Sequence, residues 1–350
     1  ELQALYQTQV ADEEFSAVCK ECVQALLKAC ERVYSAAEFR VQPFDWQPDA
    51  RIECFGSAEQ GTALRNSDLD VRMTFEQFNV VDTDRQLRYL QALEASPGDD
   101  FEVVRMVNCK LPVLRLCYSR RLIVDVTMGE SVDGGADLDQ LTRTMLKGDR
   151  SAHAFICLVK AFAKVHDLVD AYGGFLNSIS WVFLAINFLQ IQRCLPRCES
   201  RGSLALVKHE AAGKLWPVSL DAGMFARFLA YIDACAKCPH RVSITSGCCW
   251  PVRNTTWSGQ PAPPLYIEHP FVGDRNLAHA LSSKGWYSTR VACSKAWAHL
   301  RATSGPLDKS IISQLFEYKD DPVHNLKRAH SDGAKAAESS KRQRLGTHAG

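Results

Sequence analysis

The sequence predicts an α+β protein in which a small mixed-sheet domain is inserted into a helical one. Two changes of period point to this. Apolar residues recur at three- and four-residue steps up to about residue 40, alternate in short runs from Arg51 to Met128, and return to helical spacing after Gly148. Length agrees, because 350 residues suffice for two domains with separate cores.

Along residues 3–40, Leu5, Phe15, Val18, Cys22, Ala25, Leu26, Cys30 and Val33 mark a helical face. The runs RIECF, DLDVRMTF, DFEVVRMV, PVLRLCYS and RLIVDVTM read as strands, interrupted by a helix around Arg85–Ala95. Long apolar helices are expected near 151–168, 175–192 and 221–236. A Pro-rich break at Pro261–Pro264 follows, then shorter helices to about Tyr318. The expected division is 1–44 as N-terminal helices packing on the helical domain, 45–148 as the sheet domain, 149–321 as the helical domain and 322–350 as a disordered basic tail.

Composition narrows the class without naming it. Hydrophobic content of 46% and charged content of 23% are those of an ordinary globular chain. No apolar run approaches the roughly 20 residues of a membrane span; the longest, around Trp181 to Leu189, is broken by Asn187. The chain begins at Glu1 rather than Met, so the reading is that its true N-terminus lies upstream. Fourteen cysteines suit a reducing compartment, with most thiols acting as small buried hydrophobes. The CxxC pairs Cys19/Cys22 and Cys235/Cys238 sit in helix-like sequence and are read as helix faces, not zinc ligands. From Val323 onward six Lys or Arg face two acids, so a net charge of +1 for the chain conceals a basic tail and a slightly acidic remainder.

The chemistry is concentrated in FGSAEQGTALRNSDLDVRM. A strand ending at Phe55 runs into Gly56-Ser57, and Asp68 and Asp70 flank Leu69. Alternate strand residues share a face, so the two aspartates project together while Leu69 enters the core. Gly56 lets backbone approach a phosphate with no Cβ in the way, Ser57 adds a hydroxyl, and a short following helix can offer N–H groups. Asp125 lies alone between Val124 and Val126 in an apolar strand, where burial without a partner or a metal is costly. Three carboxylates of this kind suit Mg²⁺ (or Mn²⁺), hard ions that assist phosphoryl transfer by bridging phosphate and attacking oxygens. Asp68, Asp70 and Asp125 are therefore the candidate catalytic and metal-binding residues.

Gly-Ser, then Asp-x-Asp, then a distant third Asp resembles the polymerase-β-like nucleotidyltransferase superfamily, in the branch of terminal uridylyltransferases and related poly(A) polymerases. The likeness extends through LVKAFAKVHDLVDAYGGFLNSISWVFLAINFLQ and PPLYIEHPFVGDRNLAHAL, over roughly residues 45–305. It implies a small mixed-sheet nucleotidyltransferase domain packed on a helical poly(A)-polymerase-associated domain, with a catalytic cleft between them. It also implies template-independent addition of UMP or AMP, from UTP or ATP, to an RNA 3′ end. Gly56, Ser57, Lys160, Lys164, Ser178, Arg275 and Asn276 would bind nucleotide, and Lys110 would face RNA. Lys160 and Lys164 stand four apart on one helix and would share a face toward the triphosphate.

Three positions depart from the family pattern. Ile179 stands where a Tyr commonly stacks on the base, His269 replaces the Asp of an Asp-Pro pair, and Arg275 takes a position where many uridine-selective members have His. These bear on base choice and not on the carboxylates. No appended RNA-binding module is recognisable, so RNA choice falls to the chain's own surfaces or to a protein partner. Lys327-Arg328 and Lys341-Arg342-Gln343-Arg344, twelve residues apart, match a bipartite nuclear import signal, with a nonspecific RNA-grasping tail and a cytoplasmic location as the alternative.

Overall fold

The computed structural model describes residues 2–36, 39, 49–75, 80, 82–107, 111–129, 135–197, 215–236, 240–251, 256–257, 260–261, 263–302 and 315–316. Two compact units emerge: the described residues of 11–58 and 66–132 form a sheet unit, and those of 1–10, 59–65 and 133–318 a helical unit. Each has its own apolar core.

In the sheet unit, strands β1 (Ala50–Phe55), β2 (Leu69–Phe75), β3 (Phe101–Val107), β4 (Val113–Tyr118) and β5 (Leu122–Met128) form one sheet in the order β1-β2-β5-β4-β3. β2 and β5 run parallel, and the other neighbours run antiparallel, so the sheet is mixed. The two-residue period of β2 is obeyed throughout: Leu69, Val71, Met73 and Phe75 are buried, while Asp70, Arg72 and Thr74 are half-buried. The buried face is covered by α2 (Glu13–Tyr34) and α4 (Thr83–Ala95), whose Val18, Cys22, Leu26, Cys30, Leu90 and Leu93 join Val71, Met73, Leu114, Leu116, Val124 and Val126. Each fully buried side chain of this size stabilises the unit by about 1.5–3 kcal/mol. Asp12 caps α2, accepting from the Phe15 N–H at 2.9 Å, with Glu13 and Glu14 in the first turn favouring the helix dipole.

The continuous helical pattern of residues 3–40 is thus two helices with different destinations. α1 (Leu2–Gln9) buries Leu2 in the helical unit's core, while α2 packs in the sheet unit rather than on the helical domain as expected for 1–44. The Asp12 cap starts a new helix where periodicity alone ran on. α5 (Gly135–Leu146), expected with the sheet, buries Leu138, Leu141, Met145 and Leu146 in the helical unit's core.

The helical unit is built around α6 (Arg150–Val165), α7 (Ser178–Ile191), α8 (Ala222–Cys235) and α9 (Ser283–Ala302). Asp149, Asn177 and Asp221 cap the first three, each accepting a backbone N–H three residues on. α7 is buried from Ser180 to Gln190, which explains its unbroken apolar run. Strands β6 (His240–Ser243), β7 (Cys248–Pro251) and β10 (Leu265–Ile267) form a small second sheet in the order β10-β6-β7, and β8 (Thr256–Trp257) pairs with β9 (Gln260–Pro261). The sequence reading placed no strand there, because runs of two to four residues are too short to display a period. Among the described residues, no helix is long and apolar enough to cross a membrane.

Candidate functional site

β2 and β5 are adjacent and parallel, and their register makes Asp70 and Asp125 Cα partners. Both aspartates therefore stand side by side on the sheet face opposite α2 and α4. Asp68, one residue before β2, joins them through a shared neighbour. On β4, Arg115 is the Cα partner of Asp125 and grips its carboxylate with both ends of the fork, Nε to Oδ1 at 2.6 Å and Nη2 to Oδ2 at 2.5 Å. The same Nη2 lies 3.5 Å from Asp68 Oδ2. Exposure decreases inward, from 43% for the Asp68 side chain to 17% for that of Asp125. Burial alone would lower the pKa of Arg115, but its bonds to Asp125 and the charges of Asp125, Asp68 and Asp70 outweigh this and hold it above its ordinary value. Arg115 escaped the sequence reading. Its signal was an arginine inside the apolar run PVLRLCYS, one strand away from an aspartate set among valines.

Gly56 ends β1 at φ +67°, and a Cβ added there would stand 2.6 Å from Asp70 Oδ2. The glycine is required on both counts: a left-handed conformation and a carboxylate leaning on its Cα. Ser57 opens the expected short helix, a single turn over Ser57–Gln60. Beside it, Arg72 lies over the Phe55 ring at 5.0 Å. Lys110 and the basic clusters of the tail lie outside the described residues.

The helical unit holds the other candidates, with uneven results. Lys160 is buried, and its Nζ donates to Thr62 O at 2.7 Å and Thr62 Oγ1 at 3.0 Å. Thr62 Oγ1 donates in turn to Gln60 Oε1, and Gln60 Nε2 to Asp139 Oδ1. This buried chain ties residues 60–62 to α5 and α6, a task the sequence did not suggest. Lys164, one turn on, is half-buried. Ser178 stands at the first position of α7, where Asn177 is the cap. Asn276 is committed to backbone: its Oδ1 accepts from the Ile267 and Ala278 N–H groups, and its Nδ2 donates to Leu265 O. It clamps β10 to the following turn. Arg275 beside it is half-buried, and Ile179 packs against the helical unit's core.

His269, the other departure, proves conservative in function. Its Nδ1 accepts from the backbone N–H groups of Phe271 (3.2 Å) and Val272 (3.0 Å), an acceptor role that a carboxylate would fill equally well. Of the second CxxC pair, Cys235 lies with its Sγ 3.3 Å from Cys249 Sγ. Cys238 is outside the described residues.

The donor set at the sheet suits a hard divalent cation, three carboxylates with one cationic group already held against two of them. As the side chains stand, however, no three His, Cys, Asp or Glu among the described residues are gathered closely enough to hold a metal ion. Arg115 instead engages both oxygens of Asp125 and approaches Asp68.

Comparison with known proteins agrees with this geometry. Residues 2–133 match the family described as poly(A) RNA polymerase, mitochondrial-like, central palm domain. Terminal uridylyltransferase 4 of human and of mouse is 26% identical over 186 residues, which cover 49% of this chain and 11% of that protein. Terminal uridylyltransferase cid1 of Schizosaccharomyces pombe is 25% identical over 158 residues, 41% of this chain and 35% of that one. The matched stretch thus spans only about a tenth to a third of the length of these curated relatives. Among solved structures, the Cid1 poly(U) polymerase superposes with a TM-score of 0.66 at 20% identity, covering 90% of this chain and 97% of that one. mtPAP in complex with UTP gives 0.67 at 14%, covering 89% and 70%. In its paired aspartates, its glycine turn and its match to a palm-domain model, the stretch 2–133 is similar to the palm domains of polymerase-β-like nucleotidyltransferases, and the curated relatives it matches are terminal uridylyltransferases and a poly(A) RNA polymerase.

Proposed function

We propose that the chain is a template-independent nucleotidyltransferase that adds UMP or AMP from the triphosphate to an RNA 3′ end, using Asp68, Asp70 and Asp125 to hold two divalent ions. The observation carrying this reading is the pairing of Asp70 with Asp125 across β2 and β5, with Asp68 beside them. When bound, Mg²⁺ (or Mn²⁺) would polarise the phosphate oxygens and lower the pKa of the attacking 3′-hydroxyl. The chain's own residues do the rest. Gly56 leaves room for the Asp70 carboxylate at the turn, Lys164 and Ser178 offer a cation and a hydroxyl to the triphosphate, and Ser57 adds a second hydroxyl. Arg275 presents only donors, which suit the O4 of uracil and not the 6-amino group of adenine, a mild argument for UTP. With Asn276 committed to backbone, it is a weaker candidate for reading the base.

Lys110 is assigned to RNA and the basic tail to nuclear import, with a protein partner supplying RNA choice. The catalytic chemistry is assigned to the sheet unit and nucleotide and RNA binding to the helical unit. A second reading, a catalytically weak RNA-binding relative of the same fold, is favoured by the gripped Asp125 and the buried Lys160. Incubating the purified chain with an unstructured RNA, Mg²⁺ and each NTP separately decides between them. Stepwise extension with UTP or ATP is expected. No extension with any NTP, while the RNA still binds, would establish the second reading instead.

A further inference from the structure

We infer that Arg115 is a resident cation competing with divalent metal for the palm carboxylates, so that an ion can be seated only when the guanidinium lets go of Asp125. The inference rests on the metal-binding reading of Asp68, Asp70 and Asp125 proposed above. Both Asp125 oxygens are engaged by Arg115, at 2.6 and 2.5 Å, and a ligating carboxylate must give at least one of them to the ion. Arginine cannot vacate by losing its proton, so it must move. Leaving it in place beside a doubly charged ion would set like charges a few ångströms apart in a partly buried site. The geometry also binds Arg115 to its post. It is the Cα partner of Asp125 on one side and of Arg105 on the other, so like charge lies behind it and the carboxylates in front. Nη2 reaches Asp68 Oδ2 at 3.5 Å, so one guanidinium spans two of the three prospective ligands. In the metal-free chain this arrangement neutralises carboxylates that would otherwise repel one another.

The test is Mn²⁺ binding to the full chain, read from the loss of the free-ion electron paramagnetic resonance signal, without nucleotide or RNA. Arg115→Gln removes the competing charge and is expected to bind Mn²⁺ about tenfold more tightly than the wild type, or better. Arg115→Lys, which keeps the charge but not the fork, should fall between them and serves if the Gln variant does not fold. Asp125→Asn should weaken binding. Equal or weaker Mn²⁺ affinity in both Arg115 variants, with the wild type binding normally, overturns the competition and leaves the metal reading standing. No Mn²⁺ binding by the wild type or either Arg115 variant overturns the metal reading itself, and the competition with it.

Discussion

The Asp70 carboxylate rests on Gly56, so closely that a Cβ on the glycine would stand 2.6 Å from Oδ2. Gly56→Ala must therefore pay twice, for a left-handed backbone and for a displaced carboxylate. We expect it to lose about 1–3 kcal/mol of stability and a larger share of its primer extension, because Asp70 is the group that moves. Urea unfolding and extension rates on one preparation check this; an alanine variant with full activity would show that Asp70 need not sit where it does.

Replacing Asp68 or Asp70 with Asn should leave the fold intact and reduce extension by about a thousandfold or more, the loss of several kcal/mol of transition-state stabilisation. Asp125→Asn should lose activity too, but also stability, since Arg115 would keep a partly buried charge without its anion. Single-turnover extension with thermal unfolding separates the two effects. Near-normal turnover in any one variant removes that residue from the catalytic set.

Lys160 and Lys164 should behave differently despite sharing a helix. Lys160→Ala leaves the buried Thr62 carbonyl without its ammonium donor and is expected to cost about 2–4 kcal/mol of stability. Lys164→Ala should instead raise KM for the nucleotide with little effect on unfolding. A Lys160 variant of wild-type stability and raised nucleotide KM would return that lysine to the triphosphate.

His269→Asp should be tolerated and His269→Ala should not. Aspartate can accept the Phe271 and Val272 N–H groups, whereas alanine leaves two donors without their acceptor, at about 1–3 kcal/mol. Thermal denaturation of both variants is the measurement. Equal stability of the two would mean that these bonds contribute nothing.

His166 supplies a pH dependence. Burial lowers its pKa, against weaker raising effects from the Leu315 backbone and Asp167, and its ring packs on Phe162 at 4.5 Å between centroids. A base with a depressed folded pKa binds more protons when unfolded. Stability is then full above the unfolded value of about 6.5 and declines as pH falls below it toward the folded pKa. His166→Phe should flatten that decline. An unchanged slope of unfolding free energy against pH from 7 to 5 would assign it to other groups.

Local chemistry made much of this protein legible. The five long strands and the central helices fall within a few residues of where periodicity put them, because a sheet with one covered face and capped helices imprint periods of two and 3.6 on the chain. The carboxylates drew notice for a related reason: an aspartate flanked by valines on an apolar strand calls for a partner, and Arg115 supplies one. What pairing across strands does could not be read. Asp70 meets Asp125 only through the β2–β5 register, and Arg115 reaches Asp125 only because β4 lies next to β5. Lys160 has an ordinary helical spacing from Lys164, yet a segment nearly a hundred residues earlier in the chain takes up its ammonium group. Asn276 looks like a ligand contact in sequence and serves as a backbone clamp in the fold, and His269, noted only as a departure from the family pattern, holds backbone too. Sequence thus determined which groups are polar, charged or buried and on which face each stands. Tertiary structure decided which of them satisfy one another, since a hydrogen bond or ion pair depends on a few ångströms of placement set by distant segments.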